Sequence, residues 1–82
     1  METKYTSTAL KQLKALPRDA AKRIMAKIAQ YAGDPDNQAN NVTRLKGSVF
    51  LRLRVGDYRV VFDKSGIILT VIKIGHRRDV YR

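Results

Sequence analysis

The run Val49-Phe50-Leu51-Arg52-Leu53-Arg54-Val55-Gly56-Asp57-Tyr58-Arg59-Val60-Val61-Phe62 alternates with a period of two. Val49, Leu51, Leu53 and Val55 fall on one face of a strand, Phe50, Arg52 and Arg54 on the other. Gly56-Asp57 has the composition of a two-residue hairpin turn. That turn pairs Val55 with Tyr58, Leu53 with Val60 and Leu51 with Phe62. All six are apolar or aromatic, so they make one core face, and a slip of one residue would turn every one of them into water. The opposite face pairs Arg54 with Arg59 and Arg52 with Val61. Like charges directly across a sheet destabilise it. Either the arginines splay into solvent, with Asp57 or Asp63 relieving part of the repulsion, or an anionic ligand supplies the missing charge. The fixed phase of the arginines favours the ligand.

Working outward, Lys64-Ser65-Gly66 predicts a second turn. Residues 67–74 are almost continuously apolar, as in a central strand covered on both faces. Upstream, residues 34–43 are polar and turn-rich and read as a linking loop. Two helices precede it. The first, capped by Ser7, carries Leu10, Leu13 and Leu16, with Lys11 and Lys14 outward. Pro17 stops it and opens the second as its N1 residue. There Ala21, Ile24, Met25, Ile28 and Tyr31 or Ala32 form a core-facing stripe, and Lys22, Arg23 and Lys27 lie off it. Gly33 reads as the C′ residue, before Asp34-Pro35. Lys4-Tyr5-Thr6 reads as a short edge strand. The fold class expected is α+β, an N-terminal helical hairpin packed on a small, mainly antiparallel sheet, with residues 1–82 as one domain.

The chain has 82 residues, no cysteine and a formal net charge of +10. Residues 1–43 carry 7 basic and 4 acidic groups, whereas residues 44–82 carry 10 basic and 3 acidic, so the charge concentrates in the sheet half. Such a surface attracts polyanions, nucleic acid or an acidic protein. The lack of cysteine leaves no disulfide and suits a reducing cytoplasm. No apolar run approaches the roughly 20 residues of a membrane span, and the first residues do not read as a secretory signal.

With one histidine, His76, a His-rich metal site is excluded. The serines show no nucleophile elbow, and there is no Gly-rich phosphate loop. Asp57, Asp63 and Asp79 are too scattered for a Mg²⁺ cluster, which argues against a metal-dependent nuclease. What remains is chemistry built on cations, a phenol and an imidazole. RNA brings its own nucleophile, the 2′-hydroxyl. Arg52, Arg59 and Arg77 could clamp a scissile phosphate, while Tyr81 or His76 moves protons or stacks on a base. A plain binding surface would use the same cations.

Leu45-Lys46-Gly47, the segment Arg52 to Phe62 and the ending Ile74-Gly75-His76-Arg77-Arg78-Asp79-Val80-Tyr81 together resemble the RelE/ParE superfamily of type II toxin–antitoxin toxins. The resemblance covers almost the whole chain. It implies RelE-type activity: ribosome-dependent, metal-independent cleavage of mRNA in the A site by 2′-hydroxyl attack, with growth arrest and no cofactor. By this resemblance Arg59 and Arg77 match the family's phosphate-contacting arginines, Arg52 a basic strand residue that is usually lysine, and Tyr81 the C-terminal tyrosine proposed as base or stacking platform. Lys46, Arg54, Arg78 and Arg82 would add RNA contacts; Arg78 with Asp79 could equally be a surface ion pair. Phe50 stands where some relatives have a further lysine, and His76 where the best-known members have lysine, so the choice between Tyr81 and His76 as acid or base stays open. The C-terminal helix of some members has no counterpart after Tyr81. The implied partners are an acidic, amphipathic antitoxin, the ribosome and mRNA, with DNA met only through the antitoxin complex and no membrane. The same fold hosts ParE-type gyrase inhibitors, which are not nucleases, and would serve a non-toxic binding module too.

Overall fold

A computed structural model describes residues 1–36 and 41–80, the last without its side chain. The elements run β1 (Glu2–Tyr5), α1 (Ser7–Ala15), α2 (Arg18–Gly33), β2 (Val42–Arg44), β3 (Leu51–Val55), β4 (Tyr58–Ser65), β5 (Ile68–His76) and α3 (Arg77–Val80). They form a five-stranded sheet in the order β1-β5-β4-β3-β2. All pairings are antiparallel except β1 with β5. This is the α+β fold expected, with α1 and α2 packed on one face of the sheet.

The β3–β4 hairpin has the expected register at every position, Arg54 opposite Arg59 and Arg52 opposite Val61 included. Gly56 takes φ +57 at the first turn position, which a side chain would strain. The core joins Ile24, Ile28 and Tyr31 of α2, Ala9 and Leu13 of α1, and Leu53, Val60, Phe62, Leu69, Val71 and Ile74 of the sheet. Phe62 is 1% exposed, its ring tilted against that of Tyr31 at a centroid distance of 5.1 Å. The Tyr31 hydroxyl, at the core's edge, accepts from Lys64 Nζ at 3.3 Å.

Several boundaries differ from expectation. The edge strand is Glu2–Tyr5, and Thr6, not Ser7, caps α1. Thr6 is held extended by its N–H on Val71 O, and its Oγ1 accepts from Ala9 N while donating to Ile72 O. Pro17 is the N-cap of α2 rather than its first residue, and Gly33 ends the helix with Asp34 as C-cap. The core stripe of α2 is narrower than the spacing suggested: Ala20, Ile24, Ile28 and Tyr31 are buried while Met25 is 47% exposed. Leu10 of α1 is likewise 40% exposed. Each helix meets the sheet mainly along an i, i+4 ridge, Ala20, Ile24, Ile28 and Ala32 on α2 and Ala9 and Leu13 on α1, which leaves Met25 and Leu10 in water.

The segment read as a loop contains a strand. Val42, Thr43 and Arg44 pair with Leu53, Arg52 and Leu51, extending the sheet by one edge. A tight loop with Gly47 at φ +72 then leads to β3, and Val49 lies in it, 72% exposed, instead of on the core face. The second hairpin turns at Gly66 and Ile67, since Lys64 and Ser65 still pair with Leu69 and Ile68. Only one face of β5 is fully buried. A bulge between the Val61–Lys73 and Phe62–Val71 pairs leaves Ile72 unopposed and shifts the buried positions from Leu69 and Val71 to Ile74.

Side chains from the first helical half satisfy that bulge. Thr6 Oγ1 donates to Ile72 O at 3.0 Å, and Gln12 Oε1 accepts from Ile74 N at 2.6 Å, beyond Val71, the last partner of β1. Gln12→Ala removes the acceptor and leaves a part-buried N–H unpaired. The expected loss is about 1–3 kcal/mol, read as a lower urea midpoint with unchanged slope. An unchanged midpoint would mean water replaces the amide.

Candidate functional site

The hairpin register places Arg52, Arg54 and Arg59 on the sheet face away from the helices. Arg59 bends back over its own turn, and its Nη1 donates to Gly56 O and Tyr58 O, both at 2.9 Å. Carbonyl oxygens thus offset part of the Arg54–Arg59 repulsion, and neither Asp57 nor Asp63 pairs with these two arginines among the described residues. Arg52, Arg54 and Arg59, with Thr43 and Asn41, enclose a recess of about 140 Å³.

Arg77 arrives from the end of β5. The Tyr58–His76 pair closes the β4–β5 ladder, and one residue on, Arg77 N donates to Asp57 O at 2.7 Å. This bond hooks the start of α3, a single turn that the sequence did not suggest, onto the hairpin tip. The Arg77 guanidinium stands 4.0 Å from the Asp57 carboxylate, an exposed and loose pair of little energetic weight. Arg54, Arg59 and Arg77 therefore border one cleft of about 550 Å³ around Gly56-Asp57. Arg23 and Lys27 of α2 complete its rim. They are the residues that sequence reasoning assigned only to the outside of the helix; their i, i+4 spacing on the flank of the core stripe was the available signal. Among the residues lining the cleft, Asp57 is the one carboxylate against five cations.

The other expected site residues are placed differently. His76 shares the register face of Tyr58, opposite to Arg59, and lines neither recess. Its ring meets Tyr58 edge-on at 5.9 Å. Its Nδ1 accepts from Arg78 N at 3.2 Å, so a neutral ring carries its proton on Nε2. Arg78 is exposed on α3 and outside both recesses. Lys46 sits on the β2–β3 loop, at the end of β3 remote from the cleft. Tyr81 and Arg82 lie outside the described residues. Among the described residues no three His, Asp or Glu side chains cluster as metal ligands, and no helix is long and apolar enough to cross a membrane.

Known proteins resemble this chain in sequence and in fold. Toxin RelE3 of Methanocaldococcus jannaschii is 27% identical over 84 aligned positions, covering 99% of this chain and 96% of the relative. The crystal structure of a RelB–RelE antitoxin–toxin complex from Methanococcus jannaschii matches with a TM-score of 0.74 and 27% identity, over 95% of this chain and 94% of the other. The isolated E. coli RelE toxin matches in fold, with a TM-score of 0.76 at 21% identity over 98% and 89% of the two chains. Residues 3–81 match the family described as the ParE toxin of type II toxin–antitoxin systems. With nearly the whole chain matched in sequence and in fold, this protein belongs to that toxin family, within the RelE/ParE superfamily.

Proposed function

We propose that this toxin is a metal-independent endoribonuclease that cleaves mRNA in the ribosomal A site and so arrests translation and growth. The observation that carries the reading is the convergence of Arg54, Arg59 and Arg77 on one cleft, beside the recess to which Arg52 adds a fourth guanidinium. The reaction joins the 2′-oxygen to phosphorus and breaks the bond from phosphorus to the 5′-oxygen. The 2′-hydroxyl gives up a proton and the leaving oxygen gains one, which yields a cyclic phosphate and a 5′-hydroxyl. Fixed guanidinium groups stabilise the charge that builds on the phosphorane and hold the nucleophile in line. In this scheme Arg59 and Arg77 contact the scissile phosphate and Arg52 adds charge. Tyr81 and His76 are the groups available for the protons, and Lys46, Arg54, Arg78 and Arg82 hold RNA. The protein would act in the cytoplasm, where its target is.

A partner follows from the same reading. The M. jannaschii relative crystallised with the antitoxin RelB. An acidic, amphipathic antitoxin would neutralise the arginine face of this chain and cover exposed apolar side chains such as Leu10 and Met25.

Primer extension on a defined mRNA with programmed ribosomes tests the activity. Cleavage at A-site codons is expected, requiring both the ribosome and the toxin. The alternative is inhibition of DNA gyrase without nuclease activity, which the RelE relatives do not favour. Intact mRNA on ribosomes together with blocked supercoiling by the purified protein would select that reading and overturn the first.

A further inference from the structure

Arg23 and Lys27 have no part in the chemistry above, yet they line the same cleft as Arg54, Arg59 and Arg77. Their helix packs on the opposite face of the sheet from those arginines, Ile24 and Ile28 going into the core beside Leu53 and Val60. The cleft reaches both faces because it wraps around the Gly56-Asp57 turn, where the sheet ends.

A solvated helix surface would pair such cations with neighbouring carboxylates. Asp19 lies one turn before Arg23, the natural spacing for an ion pair. The ion pair found at this cleft is nevertheless Arg77 with Asp57. Arg23 and Lys27 thus border the cleft without a carboxylate partner of their own, and Lys27 is half-buried there. Positions four apart on a helix are separated by about 6 Å along its axis, so the two cations lie in file and can follow a run of backbone phosphates. Val55 is the one large apolar side chain in the lining. That favours a polyanionic backbone over an amphipathic peptide, which would need apolar pockets for its anchors.

We propose that Arg23 and Lys27 form a second phosphate-binding seat, which grips RNA backbone on the helix side of the hairpin turn while Arg52, Arg59 and Arg77 hold the strand to be cut. The seat rests on the RNA-directed reading given above and names residues that the reading leaves idle. The phosphates come from a continuation of the substrate strand or from the RNA of the ribosome around it.

The test is equilibrium binding, so it does not depend on cleavage. A single-stranded RNA of about 12 nucleotides, enough to cover one binding groove, is 2′-O-methylated to prevent cutting and titrated at several salt concentrations. Wild type is compared with Arg23→Ala/Lys27→Ala and with Lys14→Ala/Lys22→Ala, which removes the same charge from exposed helix positions outside both recesses. All four changes keep good helix formers in place. Loss of two phosphate contacts should flatten the slope of log K against log salt by about 1.4 for the cleft pair, with a much smaller change for the control. Co-sedimentation with ribosomes forms the second arm. A flattened slope on free RNA assigns the seat to the substrate strand; unchanged free-RNA binding with weaker ribosome binding, in the cleft pair alone, assigns it to ribosomal RNA. Equal effects of the two variants, or none, would overturn the seat. So would loss of binding to a poly-glutamate peptide without any change for RNA or ribosomes, since the occupant would then be an acidic protein. Wild-type cleavage on programmed ribosomes is scored separately, so failure of the nuclease reading and failure of the seat are told apart.

Discussion

Arg77→Ala and Arg59→Ala should each lower A-site mRNA cleavage by about 10²–10³-fold, the usual consequence of deleting one donor aimed at transition-state charge. The fold should scarcely notice the loss of Arg77. The Arg77 side chain makes only the loose 4.0 Å approach to Asp57, whereas the backbone N–H that hooks α3 to the hairpin stays in the alanine variant. Exposed changes of this kind shift stability by about 0.5 kcal/mol or less. The expected pattern for Arg77→Ala is therefore lost cleavage with an unchanged melting temperature, whereas Arg59→Ala also gives up its two hydrogen bonds to the Gly56 and Tyr58 carbonyls and should melt slightly lower; cleavage is measured in single turnover on programmed ribosomes. Arg77→Lys should recover only part of the rate, because an ammonium supplies charge without the planar fork that meets two phosphate oxygens. Full cleavage by the Arg59→Ala/Arg77→Ala double variant would sink the assignment of the cleft.

The largest effect on stability belongs to Phe62. It is 1% exposed, in contact with Tyr31 across the helix–sheet boundary, and flanked in register by Leu51 and Val71. Phe62→Ala should cost about 3–5 kcal/mol. A chain of 82 residues has about 4–12 kcal/mol in all at typical values per residue. The variant should be partly unfolded at room temperature in mild urea, and an antitoxin that binds only the folded form should rescue it by mass action. A measured loss below about 1 kcal/mol would mean that α2 settles into the space the ring leaves.

The hairpin that carries the arginines was legible because two independent signals agree there, strict alternation and a Gly-Asp turn that sets the register. The same reading missed β2, since three residues on an edge carry no periodicity and Val42-Thr43-Arg44 follows a polar run. It placed Met25 in the core because i, i+3, i+4 spacing marks a stripe without fixing its width, which depends on how closely the helix approaches the sheet. The bulge at Ile72 could not be read from an apolar run, whose residues look alike in either phase. It moves His76 to the Tyr58 side of the sheet, away from the arginines with which its chemistry grouped it. The contribution of α2 to the cleft was hidden for a related reason. Residues 23 and 27 become neighbours of residues 54, 59 and 77 only once the helix crosses the sheet end.

The parallel pairing of β1 with β5 sets the order in which the molecule can be completed. Glu2–Tyr5 is made before every other described element, yet its partner is Ile68–His76, the last of the described strands to be synthesised. Thr6 and Gln12 wait for the same strand, because the carbonyl and the N–H they bind belong to Ile72 and Ile74. Contacts so distant along the chain carry a loop-closure penalty and slow folding. Until β5 docks, Arg77 has no Asp57 carbonyl to hold it at the hairpin tip. The nascent polypeptide therefore displays its cations on an unfinished scaffold, and the cleft takes shape only once β5 has been made and has docked between β1 and β4.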